Sequence, residues 1–412
     1  MQESKFKPSR KNTFLFEGHA VIGENSFTIN KTNNEGTWVY NSLNVGIDCG
    51  EEGINYVNLM GGYNPKGGSY ISIQKLDEEG KILPRENNIQ VDWENRLDFN
   101  IESEENINKS SFVDVSIEKD NNGKNIQKTF ITPYDAISYL KEHLVDKLPV
   151  VVRGHIEYRL NASNDWIPSH VVDNITVKSE EFLQPKTVLN LMVLVDKDTL
   201  GAPNIEEKNV PLFVKTAYYI NKINKDVYKQ TCAIPLKILF DLNTIDFSNE
   251  KDKKKFTKGA ELYFSPEKDK KDFTSEFMFR CHYSGGVKKT EIKIEDLPTD
   301  IREGIENGFI SQDQVMGNMA IQGAQSKDII FDNVMTRVET VEGADGSVMT
   351  VPKVIAEFSK YKNSEIVLFE DLKPIDTNKQ NTAPVDNSIV IDDEEIDKSA
   401  ADIMALFSSM GN

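Results

Sequence analysis

The sequence predicts a mainly β protein: two successive β-barrel domains, few helices and a disordered acidic C-terminal tail. Three observations carry this. Short runs of alternating apolar and polar residues recur across residues 12–180 and again across 186–369. One strong helix start interrupts the first region. From Asp376 to Ser388 no apolar cluster occurs at all.

In the first region Phe14–Phe16 and Ala20–Ile22 open a strand segment. Thr37–Ile47 then alternates, with Val39, Leu43, Val45 and Ile47 on one face and Trp38, Tyr40, Ser42 and Asn44 on the other. Val57 and Leu59 share a face opposite Tyr56 and Asn58, and Gly61-Gly62 ends that strand. Residues 64–110, rich in Gly, Asn, Glu and Lys, read as a long inserted hairpin rather than core. Phe112–Ile117 alternates again. Thr132-Pro133-Tyr134-Asp135 starts a helix: Thr132 caps, Pro133 fits the first helical position, and an acid follows three residues after the cap. Ile137, Leu140, Leu144 and Leu148 recur at helical spacing until Pro149. Val150–Leu160, with Gly154 inside it, and His170–Val177 are strands. Strand, strand, strand, helix, strand, strand is the element order of an OB-fold, a closed five-stranded barrel that presents one face to oligonucleotides. This domain spans residues 1–180.

A second OB-like β-domain is expected over 181–375. Strands are read at Val188–Val195, Val210–Val214, Cys232–Phe240, Glu261–Phe264, Glu276–Tyr283, Met319–Gln322, Ile329–Val338, Val354–Phe358 and Ile366–Phe369. Gly285-Gly286 marks a turn, and Asp296–Glu306 a helix. No repeat links the two halves.

Charge constrains the partners. The chain has 412 residues, 66 acidic and 48 basic, a net charge of −18. The tail from Asp376 onward holds eight acidic and two basic residues, leaving the body near −12. Such a field repels nucleic acid, so any nucleic-acid surface has to be local. Cys49, Cys232 and Cys281 are too scattered for a zinc site or a disulfide framework. No apolar run reaches the length of a membrane span and no leader is evident, so a reducing cytoplasm is expected, that of the host if the gene is viral.

The segment Val150-Val151-Val152-Arg153-Gly154-His155-Ile156-Glu157-Tyr158-Arg159, the alternating strand around Trp38 and the acidic tip together resemble bacteriophage single-stranded DNA-binding proteins. The resemblance covers about the first 180 and the last 25 residues. It implies a non-enzymatic protein that coats exposed strands in replication, recombination and repair, and recruits other proteins through its tail. In proteins of this kind the tip often ends on an aromatic at the free carboxylate; here Phe407 lies five residues inside the end.

Binding single strands takes aromatic faces for stacking and bases to track phosphates. In the first domain the candidates are Trp38, Tyr40 and Tyr56 for stacking, with Arg153, Arg159 and Lys31 for phosphates. Tyr158 reads as core. In the second, Lys251–Lys289 carries eleven basic and six acidic residues with interleaved aromatics. Lys254, Lys255, Tyr263, Lys270, Lys271, Arg280, Lys288 and Lys289 are its candidates. Tyr218-Tyr219 with Lys215, Lys222 and Lys225 is a weaker patch. The plainer readings are cross-strand packing for the aromatics, pairing with Glu157 or nearby acids for the arginines, and solubilising edges for the lysines.

In the tail, Asp392, Asp393, Glu394, Glu395 and Asp397 precede Ile403, Leu406 and Phe407. Ser399–Asp402 resembles a capping box. This pattern suits a short helix that folds on a partner, such as a replication or recombination protein. No phosphate loop, metal-ligand spacing or nuclease motif stands out: Glu291-Ile292-Lys293 lacks a preceding Pro-Asp. No enzyme activity, no cofactor and no membrane are expected; a homo-oligomer is left open. The rival reading is a structural or assembly protein without nucleic-acid binding.

Overall fold

The computed structural model describes residues 6–161, 165–223, 226–243, 245, 249–265, 270–285, 302, 305, 307, 327–342 and 348–374. The first barrel begins with β1 (Thr13–Val21), β2 (Phe27–Thr32), β3 (Val39–Asp48) and β4 (Ile54–Tyr63). An insertion holds β5 (Tyr70–Ile73) and β6 (Ile89–Asp92). Next come β7 (Val113–Lys119), β8 (Asn125–Phe130), α1 (Pro133–His143), β9 (Pro149–Leu160) and β10 (Trp166–Val177).

The barrel closes in the order β1-β3-β4-β10-β9 and back to β1. All neighbours are antiparallel except β4 and β10. That is the OB ring, with α1 between its third and fourth strands. Alternation explains it: Phe14, Phe16, Leu43, Val45, Ile47, Val57, Leu59, Val150, Val152 and Ile156 all point into one core. Burying each large side chain contributes roughly 1.5–3 kcal/mol. Gly154 is required where β9 bends against β10. A Cβ there would lie 1.8 Å from the Val171 carbonyl oxygen and 2.8 Å from the Phe14 ring. The helix start is as read: the Thr132 hydroxyl accepts from Asp135 N–H at 3.1 Å.

Two readings of this half change. Residues 64–110 are an insertion with a β5–β6 pair but do hold core, since Ile73, Val91 and Ile107 pack with Phe112 and Ile131. The third barrel strand is also made in two pieces. β4 meets β10 at Asn58↔Val171, and β7 takes over at Val115↔Ile175.

The second barrel consists of β11 (Lys186–Val195), β12 (Asn209–Ile223), β13 (Asp226–Asp241), α2 (Glu250–Phe264), β14 (Phe273–Ser284) and β15 (Asp328–Val334). β11-β12-β13-β15-β14 closes on β11, again with one parallel pair, β13 with β15. The two rings therefore have the same topology. The strand read at Glu261–Phe264 is in fact the end of α2. Phe256, Ala260 and Phe264 recur every four residues and place one helix face on the core. β16 (Thr336–Glu342) and β17 (Val348–Val354) form a separate ribbon, and β18 (Ala356–Lys362) pairs with β14. Ile366–Phe369 is not a strand; its one ladder contact is Leu368 with Ala233. The expected helix at 296–306 and strand at 319–322 lie outside the described residues, apart from isolated positions.

The barrels join through their first strands, β1 pairing antiparallel with β11 from Thr13↔Asn190 to Glu17↔Lys186. Asn12 stitches the seam, donating to Tyr158 and Thr216 and accepting from Met192 N–H at 2.7 Å. A second apolar layer lies outside the second barrel. Phe6 from the N-terminal segment and Ile355, Tyr361, Ile366 and Leu368 from the C-terminal segment pack on Met192, Leu194, Ala217, Ala233 and Met278. Buried Glu276 sits in this layer and is held by Ser9 and by Lys360 at 3.0 Å.

Candidate nucleic-acid interface

The outer face of β3 and β4 is a shallow floor between aromatic side chains. Cross-strand partners are Tyr40↔Gly62, Ser42↔Met60, Asn44↔Asn58 and Gly46↔Tyr56. Inward alternation buries Asn41, Leu43, Val45 and Ile47, which turns Tyr40, Ser42 and Asn44 outward. On β4 the same logic exposes Tyr56, at 48% of its full accessibility, and Met60. The floor has to be small. A Cβ at Gly62 would lie 2.2 Å from the Val39 carbonyl oxygen, and one at Gly46 2.7 Å from Ile54 Cγ2.

One end of the floor is the β2–β3 hairpin. Asn33 Oδ1 accepts from Thr37 and Trp38 N–H, closing the turn and leaving Trp38 38% exposed. Exposed Lys31 lies opposite Tyr40. The hairpin is fixed from behind. Asn41 donates to the Tyr134 carbonyl and the Ser138 hydroxyl, each at 2.9 Å, and the Tyr134 hydroxyl donates to Asn30. The insertion braces the same corner. Arg96 forms an ion pair with Asp135 at 2.9 Å and lies over the Trp93 ring, which stacks on Tyr63.

Beside the floor, β10 borders β4 and continues into the β9–β10 hairpin, where exposed Arg159 faces Ile167. Trp166 is not free for a ligand on both faces, because it packs edge-on against Tyr218 and Phe369. Asn58 Nδ2 donates to Ser169 Oγ at 2.9 Å and ties the floor to β10. His170 lies beneath. Burial pushes its pKa down to about 3, so the ring is neutral. Nδ1 donates to the Tyr56 carbonyl at 3.1 Å, which leaves Nε2 to accept from the Tyr283 hydroxyl at 2.9 Å. This histidine links the floor of the first barrel to the fourth strand of the second.

The structure thus brings Trp38, Tyr40, Tyr56 and Lys31 onto or beside one face, and leaves exposed Arg159 across β10 on the β9–β10 hairpin. It does not bring Arg153 onto that face. β9 is two strands away from both β3 and β4 around the ring. Burial lowers the Arg153 pKa, with Glu17 opposing the shift. Glu17 in turn binds Lys178 and Gln184 of the linker. Tyr158 is core, as read. His155 beside it stays protonated. Burial opposes its charge, but hydrogen bonds to Asp173 and Glu157 outweigh burial and raise its pKa to about 9.

The basic stretch of the second barrel does not form one groove. Lys254 and Lys255 are on the exposed side of α2, while Tyr263 is half-buried against the core. Lys270 donates to Ser359, and exposed Lys271 lies in the turn before β14. Arg280 lies half-buried between Asn190 and Asn333. Lys288 and Lys289 lie outside the described residues, as do Asp392, Asp393, Glu394, Glu395, Asp397, Ile403, Leu406 and Phe407. The weaker patch is divided too: Lys215 pairs with Asp196 at 2.9 Å, and Tyr218 packs on the first barrel. Sequence reasoning missed Phe213, 53% exposed, directly opposite Lys237 on the outer face of β12–β13. The signal was present, because Val210, Leu212 and Val214 alternate inward and so turn Phe213 out.

No family model and no curated protein matches the chain. Among solved structures, a deletion mutant of the single-stranded DNA binding protein from Thermus aquaticus is similar at 10% identity and a TM-score of 0.27, over 67% of this chain and 88% of that one.

Proposed function

We propose that the chain binds single-stranded DNA across the outer face of β3 and β4, stoichiometrically and without catalysis. The observation that carries this is the floor itself. Exposed Trp38 and Tyr56, with half-buried Tyr40, frame Ser42, Asn44, Asn58 and Met60 on a closed OB barrel, on the face where such barrels take oligonucleotides. Every base has a π-face, so stacking of this kind tolerates any sequence. Lys31 supplies charge beside Tyr40, and Arg159 supplies it from the neighbouring β9–β10 hairpin. In this reading the protein coats strands exposed in phage replication or recombination, within the host cytoplasm. Its acidic tail recruits partner proteins and competes with DNA for the basic side chains.

Fluorescence anisotropy with a labelled oligo-dT of about 30 nucleotides, against a duplex of equal length across a salt series, tests the reading. Tight, salt-sensitive binding to the single strand is expected. Removal of residues 389–412 is expected to raise DNA affinity and abolish partner capture. The dispersal of the second barrel's lysines favours one rival, an assembly protein without nucleic acid. Absence of binding to either DNA at low salt would overturn the DNA reading and favour that rival.

A further inference from the structure

β16 and β17 pair with each other from Thr336↔Val354 to Glu342↔Val348 and with no other strand among the described residues. At about 3.3 Å per residue the ribbon is roughly 23 Å long. Its base is anchored: Met335 N–H donates to the Met278 carbonyl at 2.9 Å and Ile355 N–H to the Met335 carbonyl at 2.8 Å. Beyond the base it is open, with Val338 65% and Met349 50% exposed and Val341 exposed as well. An isolated two-stranded ribbon is marginal in water and gains stability from a third strand.

We propose that the β16 edge is a docking surface for a second copy of this chain, pairing antiparallel about a two-fold axis. Charge selects the occupant. By sequence the paired strands of the ribbon carry two basic residues, Arg337 and Lys353, and two acidic ones, Glu339 and Glu342, so these strands add no net charge on a chain of −18. Two such chains repel wherever their acidic surfaces meet, and the ribbon is a place where they need not. DNA meets as many carboxylates as cations here, with Glu339 at 2.9 Å from Lys353 and 3.8 Å from Arg337.

The edge is chosen by Pro352. Proline has no N–H, so the ladder accepts it where that nitrogen would face outward. This blunts β17 and turns the N–H and C=O of its partner Val338 to the free edge of β16. A two-fold axis at Val338 sets Arg337 opposite Glu339 of the second copy and Thr336 opposite Thr340. The edge is therefore self-complementary, as an isologous contact requires.

The test uses the full chain without DNA, so its outcome is independent of the DNA reading. Sedimentation velocity from about 1 to 100 µM is expected to show a monomer–dimer equilibrium, because a contact this small is weak. Val338→Lys is expected to weaken it at least about tenfold, by placing two like charges on the axis. Cys49, Cys232 and Cys281 are all buried, so Val338→Cys gives a clean readout. Mild oxidation is expected to yield a covalent dimer, whereas Leu97→Cys on the insertion, equally open to solvent, yields none. If the lysine variant loses its fold, the cysteine result decides alone. A monomer at all concentrations, or a dimer indifferent to Val338→Lys, overturns the proposal.

Discussion

The two barrels share one topology and differ in what lies on them. In the first, the outer face of the second and third barrel strands is open from Trp38 to Tyr56. In the second, the equivalent face of β12–β13 is half covered by the chain's own ends. Leu368 and Ile366 pack over Ala217 and Ala233, leaving Phe213 and Lys237 beside the covered part. A fold provides the same surface twice, and the segments flanking it decide which copy is available to a ligand.

The largest effect expected to sharpen this contrast is on DNA affinity. Trp38→Ala with Tyr56→Ala removes two stacking faces of the first barrel, each worth about 1–3 kcal/mol. Together they are expected to weaken oligo-dT binding at least about 30-fold, while Phe213→Ala changes it less than about threefold. Equal losses from the two changes would mean that both faces bind and that the covering segment is no barrier.

The second effect is on stability. Gly154 of β9 faces Phe14, and β1 pairs Phe14 with Leu189, which faces Cys281 of β14. Gly154 and Cys281 are thus counterparts. Gly154→Ala drives a methyl into the Val171 carbonyl and is expected to cost at least about 3 kcal/mol in urea denaturation. Cys281→Ala removes only a thiol from a buried site, at about 1 kcal/mol. Similar costs at the two positions would show that the barrels are not strained at matching points.

Much of the first barrel is legible in the sequence because its signals are local. Thr132 and Pro133 start α1 by chemistry alone, and alternation around Val45 assigns inside and outside correctly. Arg153 shows where such reading stops. Its outward direction follows from alternation, but its neighbour Glu17 is 136 positions away and the linker over them returns from residues 178–186. Nothing local encodes that. The second barrel is harder for another reason. Lysines dilute the apolar stripe of α2, so a four-residue spacing of Phe256, Ala260 and Phe264 reads as a loop followed by a strand. The insertion hides its core in the same way, with Ile73, Val91 and Ile107 spread among polar residues.

A third effect tests the seam between the barrels through pH. His170 is neutral in the fold, with a pKa near 3 against about 6.5 in the unfolded chain, so the unfolded state binds the extra proton. Its contribution is fully present above pH 6.5. It is lost as pH falls toward 3, at about 1.4 kcal/mol per pH unit. His155 acts in the opposite sense: its pKa near 9 gives stability present below pH 6.5 and lost as pH rises through 9. Melting temperatures of the wild type are expected to fall on both sides of neutrality. His170→Gln keeps a donor for Tyr56 and an acceptor for Tyr283 but cannot titrate. It is expected to flatten the limb between pH 6.5 and 5. An unchanged limb in that variant would assign acid sensitivity to the carboxylates.

The smallest effect separates the two helices. α1 is capped by Thr132 and has no glycine. α2 is capped by Asn249, whose side chain accepts from Lys251 N–H at 3.0 Å, and carries Gly259 in its interior. Glycine there costs conformational entropy on folding and offers no packing in return. A Cβ at Gly259 would meet nothing within 4 Å. Gly259→Ala is therefore expected to raise the urea midpoint by the equivalent of about 0.5–1 kcal/mol, with DNA affinity unchanged. The gain depends on a helical backbone at this point, since alanine in a solvated loop earns far less helix propensity. A neutral result would place the lysines around Gly259 on a loop and restore them as candidates for tracking phosphates. A gain keeps them on the outer side of a helix that closes the second barrel, away from the face that Phe213 marks.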